Sequence, residues 1–148
     1  LPIMKELLYL KDKQLEDIIE KLFLGYRESF SDSKNVLKKY SIGIAHHKVI
    51  HLISMYKAIT ISELLKKLKI TKQSLNRVLN DLLKLNFIFF KRDERDFRIK
   101  HVFLSEKGEK VFDEIFNLQK KRIYTALLNS NSDEVLNFDS VLKKIVNG

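Results

Sequence analysis

No cysteine occurs in the chain, so disulfide frameworks, thiolate metal sites, thiol nucleophiles and cysteine redox switches are all excluded. The same lack fits a reducing cytosol. Proline is almost missing as well: the one residue, Pro2, stands at the start, and with only four glycines little interrupts a helix from within. A mostly helical protein is expected. No apolar run approaches the roughly 18 residues that a membrane span needs, and the opening LPIMKELLYLKDKQ becomes charged too early for a secretory signal. These absences predict a cytoplasmic protein with no membrane partner. There is no glycine-rich phosphate loop, no serine has a base and oxyanion context, and the acidic residues are scattered over helix faces. Neither an enzyme nor a cofactor is expected.

What is present points in one direction. The 148 residues are 45% hydrophobic, enough for one globular domain with a closed core. Lysine and arginine number 28 against 19 acidic residues, a net of +9, which favours a polyanionic partner. Apolar residues recur every three or four positions from about Lys5 to Phe30, through Leu7, Leu8, Leu15, Ile18, Ile19, Leu22 and Phe23, as in an amphipathic helix that SDSKN at 31–35 ends. A second helix, from Ile42 to Tyr56, leaves little polar face and should be central. The β-branched ITI at 59–61 reads as a brief strand before a helix capped by Ser62. Ile70 and Thr71 then turn into a further helix, TKQSLNRVLN and beyond, with Thr71 as its N-cap.

After that helix the period changes. FIFFKR at 87–92 and IKHVFLS at 99–105 are rich in aromatic and β-branched residues and enclose the charged DERDFR, which predicts a hairpin with a long charged tip. Ser105 with Glu106 starts a long helix to about Leu128, and Ser132 with Asp133 and Glu134 a shorter one to about Val146. The fold class is therefore mainly α with a small β-hairpin (α+β). Helix, short turn, helix and hairpin is the order of a winged helix-turn-helix, whose second helix enters the major groove while the hairpin reaches the flanking backbone or minor groove.

A helical wheel sharpens this expectation. Leu75, Val78, Leu79, Leu82 and Leu83 form one buried stripe, which leaves Gln73, Asn76, Arg77, Asn80 and Lys84 on the opposite face. Gln and Asn can pair bidentately with adenine and Arg with guanine, while Lys72, Ser74 and Lys84 can hold phosphates. From Ser62 to His101 there are eleven basic residues against five acidic ones, a net of +6, and the other 108 residues carry only +3. Charge gathered there is what counterion-release binding requires.

Leu82 and Leu85 precede a turn, Asp96-Phe97-Arg98 sits at the hairpin tip, and Leu104-Ser105-Glu106-Lys107-Gly108 follows the hairpin. In that order, from Ile59 to Val111, the chain resembles the winged-helix core of MarR-type transcription regulators, whose corresponding ending is Leu-Thr-x-x-Gly. AHHKVIHLI at 45–53 and the terminal helices extend the likeness over nearly the whole chain. Three positions depart from the family: Asn86 stands where Gly is usual, the hairpin tip has no glycine, and Ser105 replaces Thr. Asn tolerates the left-handed turn and Ser caps as Thr does.

The resemblance implies a single domain over 1–148 that forms a homodimer, with helices at about 1–57 and 105–148 for dimerisation and a DNA-binding lobe at about 58–104. It also implies that Arg98, or its neighbour Arg95, enters the minor groove while Asp96 braces the wing through a salt bridge. Relatives often bind a small anionic aromatic effector, for which Tyr26, Phe30, His47, His51, Met55 and Arg122 are residue types that could line a cleft. His47 and His51 have the four-residue spacing that can place two imidazoles on one metal. Without cysteine such a site needs ligands from elsewhere, so these histidines, with His46, are read as packing, interface or hydrogen-bonding groups and no metal is expected. The expected function is a sequence-specific double-stranded DNA-binding transcription regulator, a homodimeric repressor on a pseudo-palindromic operator. The rival is a winged-helix protein-interaction module that docks an acidic partner.

Overall fold

The computed structural model describes residues 11–148; the expected start of the first helix, with Lys5, Leu7 and Leu8, lies outside the described residues. In chain order come α1 (Asp12–Ser31), α2 (Lys34–Lys39), α3 (Ile44–Met55), α4 (Ile61–Leu68), α5 (Lys72–Lys84), β1 (Ile88–Arg92), β2 (Lys100–Leu104), α6 (Glu106–Leu128) and α7 (Ser132–Asn147). The mainly helical chain with one antiparallel hairpin is the winged-helix fold expected of it. No helix among the described residues is long and apolar enough to cross a membrane. Two compact units divide the chain: Ser33–Leu118 forms one, and residues 11–32 with Gln119–Gly148 form the other.

In the Ser33–Leu118 unit, α3 is central, as its narrow polar face predicted: Val49, Ile50, Ile53 and His47 are buried. Leu75, Val78, Leu79 and Leu82 of α5 are buried in the same core, together with Leu64, Phe87 and Val102. Leu83, expected in the stripe, is only half-buried against it. The six-residue α2 is not legible in the sequence, because it places only Leu37 inside and one buried residue shows no period.

The start of α4 differs from the sequence expectation. Thr60, not Ser62, is the N-cap: its Oγ1 accepts the Glu63 amide at 3.1 Å and donates to Glu63 Oε1 at 3.1 Å. Residues 60 and 63 have the Ser/Thr-x-x-Glu spacing of a capping pair, whereas three residues after Ser62 stands Leu65, which can reciprocate nothing. Residues 59–61 form no separate strand. Thr60 makes one bridge to His101 on β2, and the Val102 amide donates to the Ile59 carbonyl at 2.8 Å.

The exit from α5 sets the position of the hairpin. Asn86 adopts φ 62°, the left-handed turn that the sequence places there. The Phe87 amide donates to Leu82 O and the Asn86 amide to Leu83 O, both at 3.0 Å, which together satisfy the last carbonyls of the helix. The chain then runs directly into β1, paired with β2 from Ile88↔Leu104 to Arg92↔Lys100. At the far end of β2, Ser105 Oγ donates to Asn86 O at 2.6 Å and accepts the Gly108 amide at 3.0 Å. Gly108 is required by contact: a Cβ there would lie 1.9 Å from the Phe87 carbonyl oxygen.

In the other unit, Arg122 forks onto Asp32 (Nε to Oδ2 2.7 Å, Nη2 to Oδ1 3.0 Å), and Gln119 Nε2 donates to Ser29 Oγ at 3.2 Å. Asn131 and Glu134 cap each other at the start of α7. Neither α1 nor α7 has a buried residue, and both leave apolar side chains in solvent, among them Leu22, Phe23, Leu136 and Val141.

Gly108→Ala should lower the unfolding free energy by about 3 kcal/mol, because the obstacle is backbone and not a flexible side chain. Asn86→Gly should leave stability equal or higher by up to about 1 kcal/mol, since it relieves the left-handed turn. Urea unfolding of the two variants beside the wild type measures both.

Candidate nucleic-acid interface

The polar side of α5 begins with its cap. Thr71 Oγ1 accepts the Ser74 amide at 3.1 Å and donates to Ser74 Oγ at 2.8 Å, which orients the first turn and leaves the Ser74 proton free to donate outward. Beyond it the buried stripe holds one side of the helix in the core. Lys72, Gln73, Ser74, Asn76, Arg77, Asn80 and Lys84 are all exposed on the remaining surface. Among the described residues, Lys72, Arg77 and Lys84 have no ion-pair partner, so their charge is directed to solvent.

Asp81 is the one acidic residue of α5, and it is engaged sideways. Its Oδ2 lies 2.9 Å from His46 Nε2 on α3, while His46 Nδ1 accepts the Gly43 amide at 3.0 Å. This pairing ties α5 to α3. Sequence reasoning placed His46 among general hydrogen-bonding groups; its Asp81 partner, 35 residues away, carries no local signal.

The hairpin tip is organised by two aspartates. Asp93 Oδ2 accepts the amides of Arg95 and Asp96 at 3.0 Å each, and its Oδ1 lies 2.8 Å from His101 Nε2. Asp96 accepts the Arg98 amide, Nε and Nη2, all at 3.0 Å. These bonds favour the charged carboxylates, so both aspartates titrate below their ordinary range: Asp93 mainly through His101 and then the two amides, Asp96 mainly through the Arg98 guanidinium. Asp96 pairs with Arg98, and the paired Arg98 side chain remains 90% exposed, held by one edge. Arg95 is exposed, and Arg92 Nη1 closes the loop on Phe97 O at 2.6 Å.

The six residues considered for an effector fall in both units. Tyr26, Phe30 and Arg122 belong to one, where the two rings lie 4.7 Å apart and Arg122 is occupied by Asp32 and Glu28. His47, His51 and Met55 belong to the other: His47 is buried, Met55 exposed, and His51 lies 6.1 Å from the Phe112 ring, where burial lowers its pKa. The Ser33–Leu118 unit also holds an open cavity of about 460 Å³ between the end of α3, the hairpin and α6, lined among others by Ile53, Lys57, Phe89, Phe103 and Phe112. Apart from their shared helix α3, it draws on none of the six. Among the described residues no cluster of side chains could hold a metal ion.

Comparison with known proteins agrees with this geometry. A sequence model of the MarR family matches residues 40–99, the stretch from the start of α3 to the wing. Solved structures of similar fold include Streptococcus pneumoniae FabT in complex with DNA (TM-score 0.74, 20% identity, 90% of this chain and 95% of that one). A MarR transcriptional regulator from Methanosarcina mazei is comparable (TM-score 0.72, 22% identity, 89% and 95%). The HTH-type transcriptional regulator PetP of Rhodobacter capsulatus is 35% identical over 140 residues, covering 95% of this chain and 84% of PetP. At that identity over that length the likeness extends beyond the fold, and this chain belongs to the MarR family of transcription regulators.

Proposed function

We propose that the protein is a homodimeric repressor that binds a pseudo-palindromic double-stranded DNA site. The observation that carries this reading is the exposed face of α5, where Gln73, Asn76, Arg77 and Asn80 stand clear of the core in the same compact unit as the basic wing. In this reading those four side chains meet base edges in the major groove, and Lys72, Ser74 and Lys84 meet phosphates. Arg98, or Arg95 beside it, enters the minor groove, with Asp96 bracing the wing. Two copies place their helices one turn of DNA apart and occlude a promoter.

Dimerisation through the terminal helices is supported by their composition. Helices α1 and α7 bury nothing, yet Leu15, Ile18, Leu22 and Phe23 on one and Leu136, Phe138, Val141 and Ile145 on the other are 39–68% exposed. Apolar surface on that scale marks an interaction site, and a second copy is the occupant that a symmetric operator requires. This reading assigns dimerisation to about 1–57 and 105–148 and DNA binding to about 58–104 of a single domain acting in the cytoplasm.

Binding to duplex DNA should weaken steeply with salt. Arg98→Ala should reduce affinity for all sequences and flatten the log–log salt slope by about one. Asn76→Ala or Arg77→Ala should instead relax preference at one base pair by about 1–3 kcal/mol, read from sequences selected out of a random library. Absence of binding to any duplex, with capture of an acidic protein instead, would favour the protein-docking rival. Leu22→Glu and Val141→Glu should convert the dimer to monomers in light scattering and cost operator affinity.

A further inference from the structure

We propose that His101, carrying a proton on both ring nitrogens, is the positioning residue of the wing, tying its tip to the body of the lobe so that the arginines are presented to duplex DNA. This rests on the reading of the wing as a DNA contact. What carries it is the identity of the two atoms facing the ring. His101 Nδ1 lies 2.7 Å from the Ala58 carbonyl oxygen, and Nε2 lies 2.8 Å from Asp93 Oδ1. Neither oxygen has a proton to give, so a neutral imidazole, with one N–H, must turn a lone pair against one of them. Only the imidazolium satisfies both. His46 provides the contrast: one of its nitrogens accepts an amide and the other faces a carboxylate, so a neutral tautomer completes its bonds.

The clamp is the first link of a chain that reaches the tip. Ala58, in the turn after α3 with φ 59°, holds His101; His101 holds Asp93; Asp93 holds the amides of Arg95 and Asp96; and Asp96 holds Arg98. The charged groups facing His101 are Asp93 at the wing, Glu63 on α4 and Lys91, its cross-strand partner on β1. Lys91 carries its ammonium over the rings of Phe89 and Phe103. Asp93 has the largest effect, followed by the Ala58 carbonyl; they raise the His101 pKa against partial desolvation.

A raised folded-state pKa stabilises the clamp fully below the ordinary histidine value of about 6.5, and that stabilisation is lost as pH rises through the higher folded value. Asp93 titrates below its ordinary range and stays ionised throughout this window. Affinity for DNA should therefore fall as pH rises across it.

Fluorescence anisotropy of the full chain with a duplex recovered by selection, at constant ionic strength, tests this. Wild-type affinity should fall about two- to five-fold between about pH 6 and pH 8.5, the range of a partly exposed ion pair. His101→Gln should be flat with pH at the weaker level. Asp93→Asn should be flat at the tighter level, because the Asn carboxamide oxygen keeps the two tip amides while its NH2 donates to neutral His101 Nε2. Nitrogen-15 NMR should show His101 titrating above the ordinary value in wild type and not in Asp93→Asn. Duplex binding in which Asp93→Asn keeps the wild-type pH profile, or His101 that is neutral by pH 6.5, overturns the positioning role while leaving the DNA reading intact. No duplex binding at any pH overturns both, and is thereby told apart.

Discussion

The crossing of Asn86–Phe87 over Ser105–Gly108 is the constraint on which the rest of the lobe depends. Four backbone segments meet there: the end of α5, the start of β1, the end of β2 and the first turn of α6. Phe87 is buried, its amide closes α5, and its carbonyl accepts the Ser105 amide at 2.9 Å. The same carbonyl comes so close to Gly108 that no side chain fits. Lys107 Nζ adds a bond to Leu85 O at 3.3 Å. Because these are backbone contacts in a filled core, the angle between α5 and the hairpin cannot drift. The exposed face of α5 and the base of the hairpin are thus held in one fixed relation, while the tip is tied down separately through His101.

Electrostatics in this lobe turn on three aspartates that act as fasteners. Asp81 faces α3 through His46, Asp93 gathers two amides and His101, and Asp96 gathers three donors of Arg98. Each carboxylate is placed by local geometry so that cationic groups keep their outward edges free. A paired arginine is usually a weakened one, yet Arg98 remains almost wholly exposed, because a single edge of the guanidinium satisfies Asp96 and the other is left to solvent.

How legible each part was depends on the range of the interaction that decides it. The stripe on α5, the Thr71 cap, the left-handed Asn86 and the bounds of the hairpin follow from residues within one or two turns of each other. The start of α4 was legible in principle, since Thr60 and Glu63 form a capping pair, but β-branching at 59–61 drew attention to a strand. The short α2 offered one buried residue and no period. His101 had no local signal at all: its partners are 8 and 43 residues away, and in sequence it is one polar residue in an alternating strand.

The sequence by itself determined which faces are apolar, where α6 and α7 begin and end, the start of α5, the wing and the concentration of positive charge, because periodicity, capping and composition act between near neighbours. Only the tertiary structure decided which acid meets each histidine and which histidine is set between two acceptors. Those pairings join Asp81 to His46 and His101 to both Ala58 and Asp93. They are made when the core brings separate elements within about 3 Å, a range at which hydrogen bonds act and periodicity carries no information.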